Sequence, residues 1–339
     1  MNMRRMLLTL LTVTFPAYAL EAPPLQPLQV AELGDFELES GETLLDARLA
    51  YRTAGTLDAQ KSNAILFPTW FTGTSEDLFT TGAVSAVDTS KFFLATVDAF
   101  GNGVSSSPSN SVRQKGDAFP RIGIGDMVKA QHRLVTQVLG IERLHAVMGI
   151  SMGGMQAFEW LTAYPTLMKK AVPIVGSPRL GSYDLLLWRT ELEAIELARK
   201  GGDIESAAPV VGMVSALALQ TPEFHARATP RESLAKLVEG AKAGAMESMY
   251  DQRTQLQAMI GHDVSRSFGG SMARAAAAVE AEVLNVVGLT DHMVTPGPAI
   301  EFAELLGQGS VALENDCGHL LFDCDGERVQ KAIRLFLER

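Results

Sequence analysis

The sequence predicts an α/β fold, in which a mostly parallel central sheet carries an inserted all-helical cap. Short apolar runs recur along the chain with helix-like stretches between them, a pattern typical of a parallel sheet covered by helices on both faces. Strand-like runs then disappear between about residues 176 and 280, where the sequence favours helices. The 339 residues, 47% of them hydrophobic, are enough to bury a core of this size.

The N-terminal 19 residues form a segment of a different kind. Arg4 and Arg5 precede an apolar run over 6–15, and Ala17-Tyr18-Ala19 follows as an A-x-A cleavage site. This pattern predicts a secretory signal peptide, because the apolar run is too short to span a bilayer. We therefore expect a signal peptide over 1–19, an α/β core over 20–175 and 281–339, and a helical cap over 176–280. The mature protein would be periplasmic or secreted.

The net charge restricts the partners of the protein. Removal of residues 1–19 takes away two arginines and no acid, so the formal charge moves from −10 to −12. Such an acidic surface argues against nucleic acid and anionic membranes, and leaves a small-molecule substrate as the expected partner. The glycines at Gly101 and Gly103 lack the lysine of a phosphate-binding loop, and no metal-ligand spacing is present, so we expect no cofactor and no metal.

The predicted elements follow in order along the chain. A proline-rich arm over 20–30 leads into two strands over 36–53 that meet at the turn Ser40-Gly41-Glu42. Later strands are predicted at 64–67, 92–97, 144–148, 171–175, 283–287 and 311–313, with core helices at 126–139, 152–164, 298–306 and 327–337. In the cap we predict helices over 183–200 and 273–279, and one that starts at the capping box Thr229-Pro230-Arg231-Glu232.

The strongest functional signal is a G-x-S-x-G turn between a predicted strand and a predicted helix. It reads Gly149-Ile150-Ser151-Met152-Gly153. Small residues are needed two positions before and after the serine, because the chain reverses sharply and a Cβ there would clash. This context distinguishes a nucleophile elbow from a chance match in a loop. Ser151 is therefore the candidate nucleophile.

A serine hydroxyl needs a base, normally a histidine oriented by a carboxylate, and in folds of this kind the order is Ser, acid, His. Asp291 follows the predicted strand over 283–287, and His319 follows the last strand, just before the terminal helix. We predict the triad Ser151, Asp291 and His319. The rivals carry less weight: Asp98 is a second candidate acid and Asp316 is expected to shape a turn. The other histidines are expected to be structural or to face the cap: His132, His145, His225, His262 and His292.

The tetrahedral intermediate of acyl transfer needs two hydrogen-bond donors for its oxyanion. One is expected to be the backbone N–H of Met152, next to the nucleophile. The other should come from the loop after the strand over 64–67, where Phe71 is the first choice and Trp70 the second.

The two cysteines, Cys317 and Cys324, lie close to His319. In an exported protein they could form a disulfide, and two small buried thiols are an equally good interpretation.

The chain resembles the homoserine O-acetyltransferase branch of the α/β-hydrolase superfamily. The resemblance rests on Ser-Met-Gly-Gly-Met-Gln at 151–156, Asp126-Met127-Val128, Leu139-Gly140-Ile141 and Tyr164-Pro165. It implies the α/β-hydrolase fold and acyl transfer through an acyl-serine, with Ser151, Asp291 and His319 in the triad positions. Members of the branch often pair, so the resemblance also implies a homodimer.

Departures from the branch favour hydrolysis. The transferases grip an amino acid carboxylate with a cap arginine, and the corresponding stretch here, 212–217, places Leu217 at that position. Thr69-Trp70-Phe71 stands where the transferases usually have His-Ala-Leu. An exported enzyme would also meet no acetyl-CoA pool. We therefore predict a serine ester hydrolase, and the alternative is an acyltransferase on homoserine or another amino alcohol.

Overall fold

A single twisted sheet forms the centre of the molecule. The computed structural model describes residues 22–339. Its strands are β1 (Gln29–Glu37), β2 (Thr43–Ala54), β3 (Ala64–Pro68), β4 (Phe93–Val97), β5 (Leu144–Ile150), β6 (Met168–Ile174), β7 (Glu282–Val283), β8 (Asn285–Gly288) and β9 (Ser310–Leu313). They follow the order β1-β2-β4-β3-β5-β6-β8-β9, and β7 pairs with β6.

The sheet is parallel except at one edge. β1 pairs antiparallel with β2, and β2 antiparallel with β4, whereas every pairing from β4 through β3 to β9 is parallel. All residues of β3 and β4 are buried, which explains their continuous apolar sequences. The predicted strand over 283–287 is divided into β7 and β8; the other five predicted strands and the N-terminal hairpin are present.

Helices cover both faces of the sheet. The core helices are α1 (Ser75–Thr80), α2 (Ile124–Arg133), α3 (Met152–Ala163), α10 (Gly297–Leu305) and α11 (Leu321–Glu338). A π-helical turn over Leu134–Val138 extends α2. Two buried apolar clusters lie on opposite sides of the sheet, one against α2 and α3 and the other against α11. The short α1 was absent from our prediction.

Between β6 and β7 the described chain forms helices and turns, with one isolated β-bridge between Arg179 and Asp263. The helices are α4 (Ser182–Lys200), α5 (Ala208–Leu219), α6 (Pro222–Ala228), α7 (Leu234–Ala243), α8 (Met249–Ile260) and α9 (Met272–Ala277). The capping box predicted at 229–232 is wrong, because Thr229 is the C-cap of α6 and its hydroxyl lies 3.2 Å from His225 Nδ1. The helix predicted to start there is present: a 3₁₀ turn over Arg231–Ser233 leads directly into α7. The sequence did not reveal α8.

No individual helix in the described part of the chain is long and apolar enough to cross a membrane. Ile204–Leu219 and Pro222–Ala228 pass that test only as a pair, bent by 93°. The predicted signal peptide, 1–19, lies outside the described residues.

Candidate active site

Ser151 occupies a sharp turn between β5 and α3. Its backbone adopts φ 57° and ψ −118°, a conformation that a residue with a side chain rarely takes. The turn is possible because its neighbours are glycines: a Cβ on Gly149 would collide with the backbone of Gly153, and a Cβ on Gly153 would lie 2.7 Å from Pro68 O. A strained backbone of this kind is kept only where the packing around it leaves no alternative. Here the strained turn presents the Ser151 hydroxyl at the end of the sheet.

The structure brings the three predicted side chains into one hydrogen-bonded chain. His319 Nε2 lies 2.9 Å from Ser151 Oγ, and His319 Nδ1 lies 2.7 Å from Asp291 Oδ2. All three residues are buried, with at most 7% of their surface exposed. In this arrangement Nδ1–H donates to the carboxylate, which leaves the lone pair of Nε2 directed at the serine hydroxyl.

Backbone groups hold Asp291 in place. Its other oxygen, Oδ1, accepts hydrogen bonds from the N–H groups of Met293 and Val294, at 2.9 and 3.0 Å. The loop after β8 therefore fixes the Asp291 carboxylate independently of its contact with the histidine. His319 is fixed through its own backbone, since its N–H donates to Leu219 O in the cap, at 2.9 Å.

The loop after β3 carries the second predicted oxyanion donor. Thr69 anchors this loop to β4, because its N–H donates to Val97 O and its hydroxyl accepts from Ala99 N–H, both at 3.0 Å. Trp70 and Phe71 then line the same cavity as Ser151. Within the described chain, no hydrogen bond to protein occupies the N–H of Phe71 or of Met152. Both donors are free to bind an oxygen at the serine, and the N–H of Trp70 is equally unoccupied.

Gln255 of α8 supports this loop from the cap, and sequence reasoning missed it. The side chain is fully buried; its Oε1 accepts from Thr72 N–H at 2.8 Å and its Nε2 donates to Phe100 O at 3.2 Å. Thr72 adopts φ 65°, in the left-handed region. No motif marks Gln255, because it approaches the loop from 183 positions away in the sequence.

A second missed group lies beneath the elbow. Gln156 donates to Thr69 O and Met152 O, at 3.1 and 3.2 Å, and accepts from Gln131 Nε2. Gln131 in turn accepts from Trp160 Nε1 at 2.8 Å. This buried chain of amides ties α2 and α3 to the loop after β3. It gives a structural reason for the glutamine in Ser-Met-Gly-Gly-Met-Gln.

A cavity of about 480 Å³ opens above Ser151. The core contributes the loop after β3 and the start of α11, and the cap contributes Trp188 of α4 together with Ser215 and Leu219 of α5. Phe71 packs edge-on against Trp188, with ring centroids 5.5 Å apart. The described residues that line the cavity include no Lys or Arg, and Asp323 is the one residue among them with a carboxylate side chain.

Leu217 does not line this cavity. Its side chain is 73% exposed, on the outer face of α5, and Ser215 and Leu219 of the same helix face inward instead. Leu217 therefore does not occupy, in this cavity, the place of the carboxylate-binding arginine of the transferases. The lack of Lys and Arg in the described cavity lining provides the physical argument instead, since a buried carboxylate needs a charged partner.

The rival residues have other partners. Asp98 is fully buried and accepts from Ser75 N–H and Asn102 Nδ2, at 2.7 and 2.9 Å, while burial raises its pKa. Asp316 pairs with Arg227 of α6, at 2.8 Å. The histidines outside the triad contact, in turn, Tyr164 (His132), Leu337 O (His145), Thr229 (His225), Glu159 (His262) and Leu217 O (His292).

Cys317 and Cys324 form a disulfide. The sequence allowed either a disulfide or two buried thiols, and the structure contains the disulfide. The bridge joins the loop that carries His319 to the first turn of α11, and so closes a short ring around the histidine.

Most of the chain is similar to proteins of one known family. Residues 63–324 match the family model described as the alpha/beta hydrolase fold. Ethyl acetate hydrolase of Pseudomonas veronii is 33% identical over 324 residues, which are 90% of this chain and 93% of the relative. Homoserine O-acetyltransferase of Methanococcoides burtonii is 29% identical over 353 residues, 90% of this chain and 72% of the relative.

A solved structure, that of an acetylester hydrolase from Corynebacterium glutamicum, superposes with a TM-score of 0.84 at 31% identity, covering 92% of this chain and 96% of that one. The predicted fold and the predicted resemblance are thereby confirmed. The chain belongs to the α/β-hydrolase family.

Proposed function

We propose that this α/β hydrolase cleaves uncharged carboxylic esters of small acyl groups by way of an acyl-serine. The observation that carries the proposal is the buried chain Ser151–His319–Asp291, at 2.9 and 2.7 Å, in a cavity with two free backbone donors beside it. The similarity to ethyl acetate hydrolase and to an acetylester hydrolase supports a small acyl group.

In this mechanism Ser151 Oγ attacks the ester carbonyl while His319 Nε2 takes its proton. The carbonyl oxygen becomes an oxyanion, and the N–H groups of Met152 and Phe71 stabilise it. The tetrahedral intermediate collapses: its C–O bond to the alcohol breaks, and His319 returns the proton to the leaving oxygen. Water, deprotonated by the same nitrogen, then attacks the acyl carbon. The bond to Ser151 Oγ breaks, His319 returns the proton to that oxygen, and the acid is released. Asp291 keeps the ring in the required tautomer throughout.

The cavity favours hydrolysis over transfer to homoserine. An amino acid acceptor carries a carboxylate, and none of the described residues that line the cavity is a Lys or Arg that could pair with it. We expect release of p-nitrophenol from its acetate without any requirement for acetyl-CoA. A strict requirement for acetyl-CoA, with homoserine as acceptor, would contradict the proposal.

The test of the site uses matched variants. Ser151→Ala and His319→Ala should lower kcat by about 10³-fold or more and keep the fold, as measured by circular dichroism. Fluorophosphonate should label the native protein and not Ser151→Ala. His225→Ala is the control, because His225 lies in the cap and contacts Thr229 instead of the cavity. If either triad variant retains substantial activity, the assignment is wrong.

We also propose that the protein is exported after cleavage behind Ala19. The signal-like sequence over 1–19 and the disulfide Cys317–Cys324 support this, since disulfides persist in oxidising compartments. Mass spectrometry of the purified native protein should give an N-terminus at Leu20. Recovery of the full-length chain from the reducing cytosol would contradict export.

A further inference from the structure

Two polar side chains, Gln252 of α8 and Ser215 of α5, lie in the cap wall of the candidate catalytic cavity. Ser215 of α5 lines the cavity, and its Oγ lies 2.7 Å from Oε1 of Glu191 on the neighbouring helix α4. Glu191 has no exposed surface, and its second oxygen, Oε2, has no hydrogen-bond partner among the described residues. A carboxyl group buried in this way behind a cavity-lining hydroxyl plays no part in the proposed triad.

The pair has a defined protonation state at neutral pH. Burial raises the pKa of Glu191 to about 8, so the carboxyl is protonated. No charged group offsets this. Helix α5 carries none, and the charged groups on the other elements packed against α4 are engaged elsewhere: Glu205 accepts from Met249 N–H, Asp251 from Ser109 N–H, and Arg253 pairs with Glu196.

Protonation decides what Ser215 can offer. Among the described residues, Ser215 Oγ is the acceptor within hydrogen-bond distance of the Glu191 carboxyl. An ionised carboxylate accepts from Ser215, whereas a protonated carboxyl donates to it and leaves the serine its own proton. That O–H is then available to the cavity. An ionised Glu191 can only accept a hydrogen bond, so Ser215 would donate its O–H to the carboxylate and offer no donor to the cavity.

We propose that Ser215, oriented by Glu191, is a specificity residue that donates a hydrogen bond to an uncharged oxygen of the substrate, outside the ester group that Ser151 attacks. The proposal rests on the function proposed above. The preferred substrates are small esters that carry an additional ether, carbonyl or hydroxyl oxygen. Substrates with a carboxylate are disfavoured, because the cavity lining within residues 22–339 contains no Lys or Arg.

The experiment compares esters that differ by one CH₂-to-oxygen replacement. On the alcohol side the pair is butyl acetate and 2-methoxyethyl acetate; on the acyl side it is methyl pentanoate and methyl 3-methoxypropanoate. The readout is the ratio of kcat/KM for the oxygenated ester to that for its partner. Differences in intrinsic reactivity cancel when this ratio is compared between protein variants.

For at least one pair, Ser215→Ala should lower this ratio about fivefold, equivalent to about 1 kcal/mol and typical of a neutral hydrogen bond. In the native enzyme the ratio should fall as pH rises through about 8, the pKa of Glu191. Glu191→Gln should keep the ratio and make it independent of pH, because an amide donates to Ser215 permanently. Ser206→Ala is the control, since Ser206 lies outside the cavity and its hydroxyl donates to Asp203 O.

Binding separates this proposal from the proposed hydrolysis. The dissociation constants of both ester pairs are measured by calorimetry in Ser151→Ala and in Ser151→Ala/Ser215→Ala. A preference for the oxygenated ester that needs Ser215 supports the subsite, even if the native enzyme hydrolyses neither ester. Equal ratios in the two proteins, with normal hydrolysis by the native enzyme, would overturn the subsite and leave the hydrolase proposal standing.

Discussion

Replacement of Gln255 by leucine should impair the reaction without removing any atom that touches the substrate. The native side chain satisfies two backbone groups, Thr72 N–H at 2.8 Å and Phe100 O at 3.2 Å. Leucine is of similar size and satisfies neither. The N–H of Thr72 follows directly on Phe71, so the loop that carries the proposed oxyanion donor loses the contact that holds it.

The size of the effect follows from these two groups. Each buried polar group left without a partner costs about 1–3 kcal/mol, so the loss of two partners should lower the free energy of unfolding by about 2–6 kcal/mol. Complete loss of one oxyanion donor lowers kcat by about 10²–10³. Phe71 would be displaced and not deleted, so we expect kcat to fall about 10- to 100-fold with KM nearly unchanged, because the donor acts mainly on the transition state.

The assay is steady-state hydrolysis of p-nitrophenyl acetate, at a temperature where circular dichroism shows the variant to be folded. Gln257→Leu is the matched control, because Gln257 lies two positions further along α8 and lines a different cavity. A kcat within about twofold of the native value, together with the expected loss of stability, would refute the positioning role of Gln255.

Three further outcomes are expected. Asp291→Asn should lower kcat about 10³- to 10⁴-fold, because an amide no longer holds the proton on Nδ1 of His319; a loss below tenfold would argue against this role. The double substitution Cys317→Ser/Cys324→Ser should lower the free energy of unfolding by about 2.5 kcal/mol, as seen by denaturant titration, and an unchanged midpoint would contradict this. Glu191→Gln should gain in Tm over the native protein as pH rises from 6 to 9, measured by calorimetry. The raised pKa of Glu191 means that the native state holds this proton more strongly than the unfolded chain does. The stabilisation that the native protein gains from the protonated carboxyl is therefore complete below about pH 4.5 and is lost as pH rises through about 8. A constant difference in Tm would show that Glu191 does not titrate in this range.

Local sequence was sufficient for the elbow and for the order of the elements. Strands buried on both faces must be apolar throughout, and the reversal at Ser151 excludes any side chain at Gly149 and Gly153. These constraints act over a few residues, so they are visible in the sequence. The placement of Asp291 and His319 after late strands followed from the order of a known topology. In the structure His319 lies within hydrogen-bond distance of both Ser151 and Asp291.

The wall of the cavity was decided by tertiary structure. Periodicity indicated helices in the cap, but it could not say which side of α5 faces the serine: Leu217 is at the surface, and Ser215 and Leu219 point inward. The same holds for the disulfide, which the spacing of two cysteines allowed without requiring.

Gln255 and Glu191 show why the sequence could not reveal the residues around the cavity. Each is an ordinary polar residue on a helix, and each acquires its role from a group on another element, the loop after β3 for one and α5 for the other. The sequence by itself determined the fold, the chemical class and the candidate nucleophile, because those depend on short-range sterics and strand order. The residues that position and select the substrate depend on contacts between distant segments, and only the folded chain brings those segments together.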